Sequence, residues 1–234
     1  MIRIWQLLRY HSENPSDKAL PPYSQAPTTF LKHLFNEYAS YYDAHMKEQL
    51  QTQSPLLLFE VLAPYLQQNH HQLLDLGCGT GECASLFKEK FPSQFYCTGI
   101  DVSEKMLDFA NSRSIYDQLW CQSLQEFFNN STISYDIILA SDVLVYMGEL
   151  NSLFKGIAKQ LSFEGLFGMT VEKTTEAPWV WSISGRFAHR LDYIQQTAKQ
   201  HHLRLLTCQE KAIRKEKHAW VYGYIIVLTH EWRS

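Results

Sequence analysis

The chain has 234 residues, 45% of them apolar and 14% aromatic. That is enough to bury a sizeable core, and it excludes a disordered chain or a disulfide-stapled mini-protein. With 21 Lys and Arg against 24 Asp and Glu, the net charge is −3, so no global positive excess points to a nucleic-acid or membrane partner.

Residues 1–29 hold Pro15, Pro21, Pro22 and Pro27, half of the chain's eight prolines. X-Pro steps favour extended backbone, so a Pro-rich arm is expected, with one short helix at 4–10. Such an arm suits a fusion remnant or an oligomerisation contact. Arg3, Gln6 and Arg9 interrupt the first apolar stretch, so no signal peptide is expected. No apolar run nears the ~18 residues of a membrane span.

From Thr28 the spacing turns helical through Phe30, Leu31, Leu34, Phe35 and Tyr38, and on to Tyr41, Tyr42 and His45. A second helix is predicted from Ser54 as N-cap with Pro55 at its first position. Strands are then expected at 72–76, 95–100, 119–122, 135–141 and 166–172. Helices are expected between them at 81–90, 103–111, 124–129 and 150–161. This alternation implies βαβ units and a parallel sheet covered on both faces. A helix at 190–201 precedes strands at 204–211 and 220–229, joined by too few residues for a crossover, hence an antiparallel hairpin. The basic stretch Lys211–Lys217 reads as its solvated tip, or as a phosphate or acyl-carrier docking patch. Cys78, Cys83, Cys97, Cys121 and Cys208 have neither CxxC spacing nor a disulfide framework, which suggests free thiols in a reducing cytoplasm. His70-His71 and His201-His202 are adjacent pairs that cannot share a helix face as metal ligands.

The strongest signal is Asp75-Leu76-Gly77-Cys78-Gly79-Thr80-Gly81, between a buried strand and a helix. Glycines allow a tight turn and close approach of a ligand, and the helix start offers free N–H groups. Asp101, ending the next strand, stands where a carboxylate accepts both hydroxyls of a ribose. A dinucleotide fingerprint would need a third glycine where Glu82 stands, and the Lys-Ser/Thr of a Walker loop is missing.

The string D-L-G-C-G-T-G resembles motif I of class I S-adenosylmethionine-dependent methyltransferases. Gly99-Ile100-Asp101-Val102-Ser103 with Met106, then Tyr135-Asp136-Ile137-Ile138, then Leu161–Phe167 match the same family in order. The resemblance spans about residues 31–230. It implies an α/β fold: a Rossmann-like, seven-stranded, mostly parallel sheet with an antiparallel C-terminal hairpin, helices on both faces and N-terminal cap helices. The arm would be 1–29, the methyltransferase domain 30–234 and the cap helices 30–69. Within the family the sequence looks closest to the ubiquinone/biotin-pathway type, malonyl-carrier O-methyltransferases included.

The resemblance implies that Asp75, Gly77, Cys78, Gly79 and Ser141 lie at the cofactor's methionine side, with Asp142 beside them. Asp101 would take the ribose, and Val102, Met106, Ser123 and Leu124 the adenine. Many relatives carry an Asp where Gln122-Ser123 stands, so an amide, a hydroxyl or backbone must substitute. The usual Pro-Gly-Gly turn is Phe163-Glu164-Gly165 here.

Methyl transfer from a sulfonium needs no metal, no covalent intermediate and no triad; positioning supplies much of the rate. Three segments could reach the acceptor. Tyr38–Asp43 resembles a cap-helix entry, although the same rings would serve equally as core. Tyr146 follows the fourth strand, with simple packing as its other reading. The long connection 172–189 carries Trp179 and Trp181 and reads as a lid. Within it Arg186 suits an acceptor carboxylate, and His189 is either a base or an ordinary helix-start histidine. The implied acceptor is a small molecule or a carrier-bound acid. A protein methyltransferase and a non-catalytic cofactor-binding scaffold are the alternatives.

Overall fold

Leu73, Leu74 and Leu76 are fully buried on one strand, yet they serve two different cores. The structure is a computed structural model that describes residues 24–66, 71–182, 185–217 and 219–231. The expected helix at 4–10 and His70 lie outside them.

The helices are α1 (Thr28–Tyr38), α2 (Ser54–Leu62), α3 (Glu82–Lys90), α4 (Glu104–Ser112), α5 (Leu124–Asn130), α6 (Asn151–Gln160) and α7 (Leu191–Gln200). The strands are β1 (His71–Leu76), β2 (Phe95–Asp101), β3 (Gln118–Cys121), β4 (Tyr135–Ala140), β5 (Leu161–Lys173), β6 (Trp179–Trp181), β7 (Phe187–His189), β8 (Leu203–Glu216) and β9 (Ala219–His230). Strands β3-β2-β1-β4-β5 are parallel neighbours. Strand β9 runs antiparallel beside β5, with β8 outside it.

Period-two alternation sends side chains to both faces of this sheet. Leu74, Leu76, Ile138, Ala140, Ile226 and Leu228 join the core under α5, α6 and α7. Leu73, Ile137, Leu139, Ile225 and Val227 join the core under α2 and α3. Each such side chain fully buried contributes roughly 1.5–3 kcal/mol, so the sheet is held from two sides at once.

The sheet has nine strands, not the seven expected. The additional pair, β6 and β7, lies in the connection read from sequence as a lid loop. It forms a hairpin that prolongs the sheet: Ala188 and His189 pair in parallel with Glu172 and Lys173, and Trp179–Trp181 close it antiparallel. Strands of three residues are too short to show a period.

The C-terminal hairpin is also longer than expected. Its strands reach Glu216 and Ala219, so Lys211–Lys217 is mostly strand, not a solvated tip. Ile213 and Arg214 within it are buried at 1% and 2% exposure. A register shift between Ala212 and Arg214 lets the two consecutive residues turn inward.

Ser54 does not cap α2. Its hydroxyl donates to Asp142 Oδ1 at 2.9 Å instead. The described end of the arm packs against the segment that precedes α6: Gln25 bridges Met147, and the Ser24 carbonyl accepts the Gly148 and Glu149 N–H groups.

Candidate active site

The turn after β1 has the backbone its glycines allow. Gly77 and Gly79 take left-handed φ of 59° and 54°. A Cβ added to Gly79 would meet nothing within 4 Å, so the loop opens onto free space. Asp101 ends β2 beside that space. Its Oδ2 accepts the Gly79 N–H at 3.0 Å and its Oδ1 accepts the Ser103 N–H at 2.8 Å. Burial pushes this carboxyl's pKa up, and those N–H groups pull it back. Each carboxylate oxygen keeps acceptor capacity for a further donor.

Asp75 lies beneath the loop rather than in its mouth. It is 1% exposed and accepts the Tyr116 hydroxyl at 2.7 Å. Burial raises its pKa to about 7. Asp75 therefore braces the turn. Cys78 is buried too, and burial drives its thiol pKa well up, which leaves no nucleophile there.

On the adenine side, Met106 is fully buried on α4 and Val102 is half-buried before it. Ser123 caps α5 in a reciprocal box with Glu126, so its hydroxyl is committed. Gln122 and the backbone remain to meet an adenine amino group; Leu124 packs on the core under α5.

At the end of β4, the buried Ser141 hydroxyl lies beside the Cys83 thiol without a well-formed hydrogen bond. Asp142 follows with a left-handed φ of 57°, a conformation that L side chains adopt at a cost. The structure around it over-determines the turn. Its N–H donates to Thr170 Oγ1 at 2.9 Å, and its carboxylate accepts Ser54 at 2.9 Å and Thr52 at 3.3 Å. Nothing in local sequence pointed to Thr52 or Ser54.

An aromatic cluster stands over the start of this segment. Phe35 meets Tyr146 edge-on at 5.5 Å, and Tyr38 meets Tyr41 and Tyr42 at 4.8 and 5.0 Å. Tyr38 shares a hydrogen bond with His45 Nδ1. Burial raises the pKa of Tyr38, Tyr42 and Tyr146, so all three remain hydroxyls. Arg186 joins them from the β6–β7 hairpin. Burial opposes its charge, but the nearby carboxylates of Asp142 and Glu172 favour it, and it stays a cation.

His189 is not brought to this cluster. It is fully buried, donates from Nε2 to the Gly148 carbonyl at 3.2 Å and stacks on Tyr193. Burial lowers its pKa to about 4. An imidazole so enclosed reaches no acceptor; it ties the 147–149 segment to the hairpin.

The cap is latched to the glycine loop. Asp43 accepts the Thr80 hydroxyl and an Arg113 N–H, both at 2.6 Å. Asn36 Oδ1 accepts the Ser103 hydroxyl at 2.7 Å, and Lys32 pairs with Glu104 at 2.8 Å. A cavity of about 620 Å³ lies elsewhere, between Leu161 at the start of β5 and His230 at the end of β9.

A nucleoside cofactor fits these residues: open space over Gly79, a diol acceptor in Asp101 and an unpartnered Ser141 hydroxyl. Strand order, antiparallel C-terminal hairpin and loop together define the class I methyltransferase fold. Residues 74–167 match the profile of a family described as a methyltransferase domain. The chain is 28% identical over 137 residues to a malonyl-acyl-carrier-protein O-methyltransferase of Priestia megaterium, covering 58% of this chain and 48% of that protein. The chain thus spans about half the length of the curated relatives it matches. In structure it resembles magnesium protoporphyrin IX methyltransferase of Synechocystis PCC 6803, solved with bound SAH, with a TM-score of 0.68 and 14% identity. That match covers 88% of this chain and 100% of the other. It also resembles 1,6-didemethyltoxoflavin-N1-methyltransferase of Burkholderia thailandensis, with a TM-score of 0.66 and 15% identity over 92% and 94% of the two chains. At these identities the likeness is one of fold.

Proposed function

We propose that this chain is an S-adenosylmethionine-dependent methyltransferase whose acceptor is a small molecule or a carrier-bound acid. The observation that carries this reading is the Asp101 carboxylate bonded to Gly79 of a glycine loop that opens onto free space. When bound, S-adenosylmethionine supplies a methyl group on a sulfonium, already activated for displacement.

What falls to this chain is to bind, align and keep water out. Gly77, Cys78, Gly79 and Ser141 hold the amino-acid end of the cofactor, Asp101 the ribose, and Val102, Met106 and Leu124 the base. Tyr146 and Arg186 meet the acceptor. An acceptor carboxylate is ionised near neutral pH, so this chain would not have to supply a general base for it. The relatives named as malonyl-acyl-carrier-protein methyltransferases favour a carrier-bound acid of this kind. Five free thiols favour a cytoplasmic location.

Calorimetry with S-adenosylhomocysteine tests the cofactor half. Asp101→Ala removes an acceptor whose bonds are worth about 1.5–3 kcal/mol each, so affinity should fall at least about tenfold. Unchanged affinity would overturn the reading. Tyr146→Ala should leave that affinity within about threefold while slowing transfer of labelled methyl to a malonyl carrier protein. Loss of cofactor binding in a folded Tyr146→Ala would contradict the division between the two halves.

A further inference from the structure

Arg186 has donors that the fold does not use. Its side chain is 16% exposed, its Nη1 has no hydrogen bond, and the nearest carboxylate oxygen, Glu172 Oε1, is 3.7 Å away. A guanidinium and a carboxylate so close ordinarily close into a two-point pair. Glu172 is instead held from the other side. Arg214 donates to the same Oε1 from Nη2 at 2.8 Å and from Nε at 3.2 Å. Arg214 is 2% exposed and is steadied by Glu216, which accepts from Nη2 at 3.0 Å. Asp142 adds attraction, but both its oxygens already accept from Thr52 and Ser54. The other groups facing Arg186 are the neutral hydroxyls of Tyr38, Tyr42 and Tyr146 and the His45 imidazole, whose pKa burial and Arg186 both lower.

A buried guanidinium with unmatched N–H groups is costly. An arrangement that keeps it unmatched, with a carboxylate within reach but restrained, is suited to an incoming anion. We propose that Arg214 is a positioning residue for acceptor recognition. By holding Glu172 off Arg186, it keeps the Arg186 guanidinium open for a terminal carboxylate on the acceptor. Remove Arg214, and Glu172 closes the remaining gap and takes the anion's place. This rests on the acceptor site assigned above only for where the anion sits.

The test uses the S-adenosylhomocysteine-loaded protein and two probes: malonyl-N-acetylcysteamine, a thioester with one carboxylate, and its methyl ester, with none. The wild type should bind the acid at least about tenfold more tightly than the ester, the margin expected of a charge-assisted pair. Arg214→Gln should abolish that preference and keep cofactor affinity within about threefold. The double variant Glu172→Gln/Arg214→Gln should regain the preference, because residue 172 no longer carries a carboxylate to close on Arg186. A merely structural Arg214 would show its loss, and any rescue by Glu172→Gln, in stability and not in the ratio of acid to ester affinity. Retained preference in Arg214→Gln, or no recovery in the double variant, overturns the proposal. Should Arg214→Gln fail to fold, Glu172→Gln alone decides: it must bind the acid at least as tightly as the wild type. A wild type that binds cofactor but does not distinguish acid from ester overturns the proposal and leaves the methyltransferase reading standing. If cofactor does not bind, that reading fails, and acid against ester on the unloaded protein still decides the role of Arg214.

Discussion

Burial fixes the chemistry open to His189. Its imidazole is neutral at pH 7 because a charge there would be unsolvated, and the pKa falls to about 4 from 6.5. Between those values the unfolded chain takes up a proton that the folded chain refuses, so stability is present above pH 6.5 and lost as pH falls toward 4. From pH 7 to 4.5 the wild type should lose about 2 kcal/mol more than His189→Gln. Denaturant midpoints of the two at both pH values check this, and parallel losses would contradict it. The same scale separates what local sequence revealed from what it hid. Gly77, Gly79 and Asp101 form a contiguous motif and its echo one strand later, so they were legible. His189 reads from sequence as either a base or an ordinary helix-start histidine, because an ionisable group in a long connection gives no sign of its burial. Asp75 sat in the motif but faces Tyr116, whose partnership leaves no local trace.

The cap helices were legible from spacing, but their attachment was not. Helix α1 has no fully buried residue, and the turns after it rest on Asp43, which holds both Thr80 and Arg113. The Asp43–Arg113 pair is partly exposed and contributes little. The Thr80 bond is the stronger hold, since Thr80 is 2% exposed and lies within the glycine loop. Losing it should cost about 0.5–1.5 kcal/mol of cap closure. Asp43→Ala should therefore speed release of S-adenosylhomocysteine roughly threefold to tenfold, with little change in its association rate. Stopped-flow displacement measures this; an unchanged release rate would mean that the cap does not retain the cofactor. Hairpin β6–β7 escaped the sequence because it is an extension of β5: its short strands exist through pairing with Glu172 and Lys173.

Across the whole molecule, two buried cores meet on one sheet, and the parallel strands join the C-terminal hairpin along β5 and β9. Gly223 marks that seam. A Cβ there would come within 2.2 Å of the Val171 carbonyl oxygen, a backbone atom that cannot move aside. Gly223→Ala should force β9 from β5 at a cost of roughly 1–3 kcal/mol. At about 2–4 °C per kcal/mol for a chain of this size, the melting temperature should drop by several degrees. A melt that matches the wild type would show the seam to be looser than its geometry.

By itself, the sequence determined the order of the strands and helices apart from β6 and β7, the two-sided sheet and the cofactor loop with its acidic partner. Each of these is written in neighbouring residues, as a period of two, a helical stripe or a glycine turn. Only the tertiary structure decided which polar side chains complete one another: Asp142 with Thr52 and Ser54, Asp43 with Thr80, and Glu172 with Arg214 beside the open Arg186. Such partners lie far apart along the chain, and a hydrogen bond between them imposes no period on either segment. Arg214 makes the point most plainly. In sequence it belongs to a basic stretch indistinguishable from a solvated turn. It becomes a buried cation because its strand pairs to Glu216 and a register shift turns it inward, onto a carboxylate from β5.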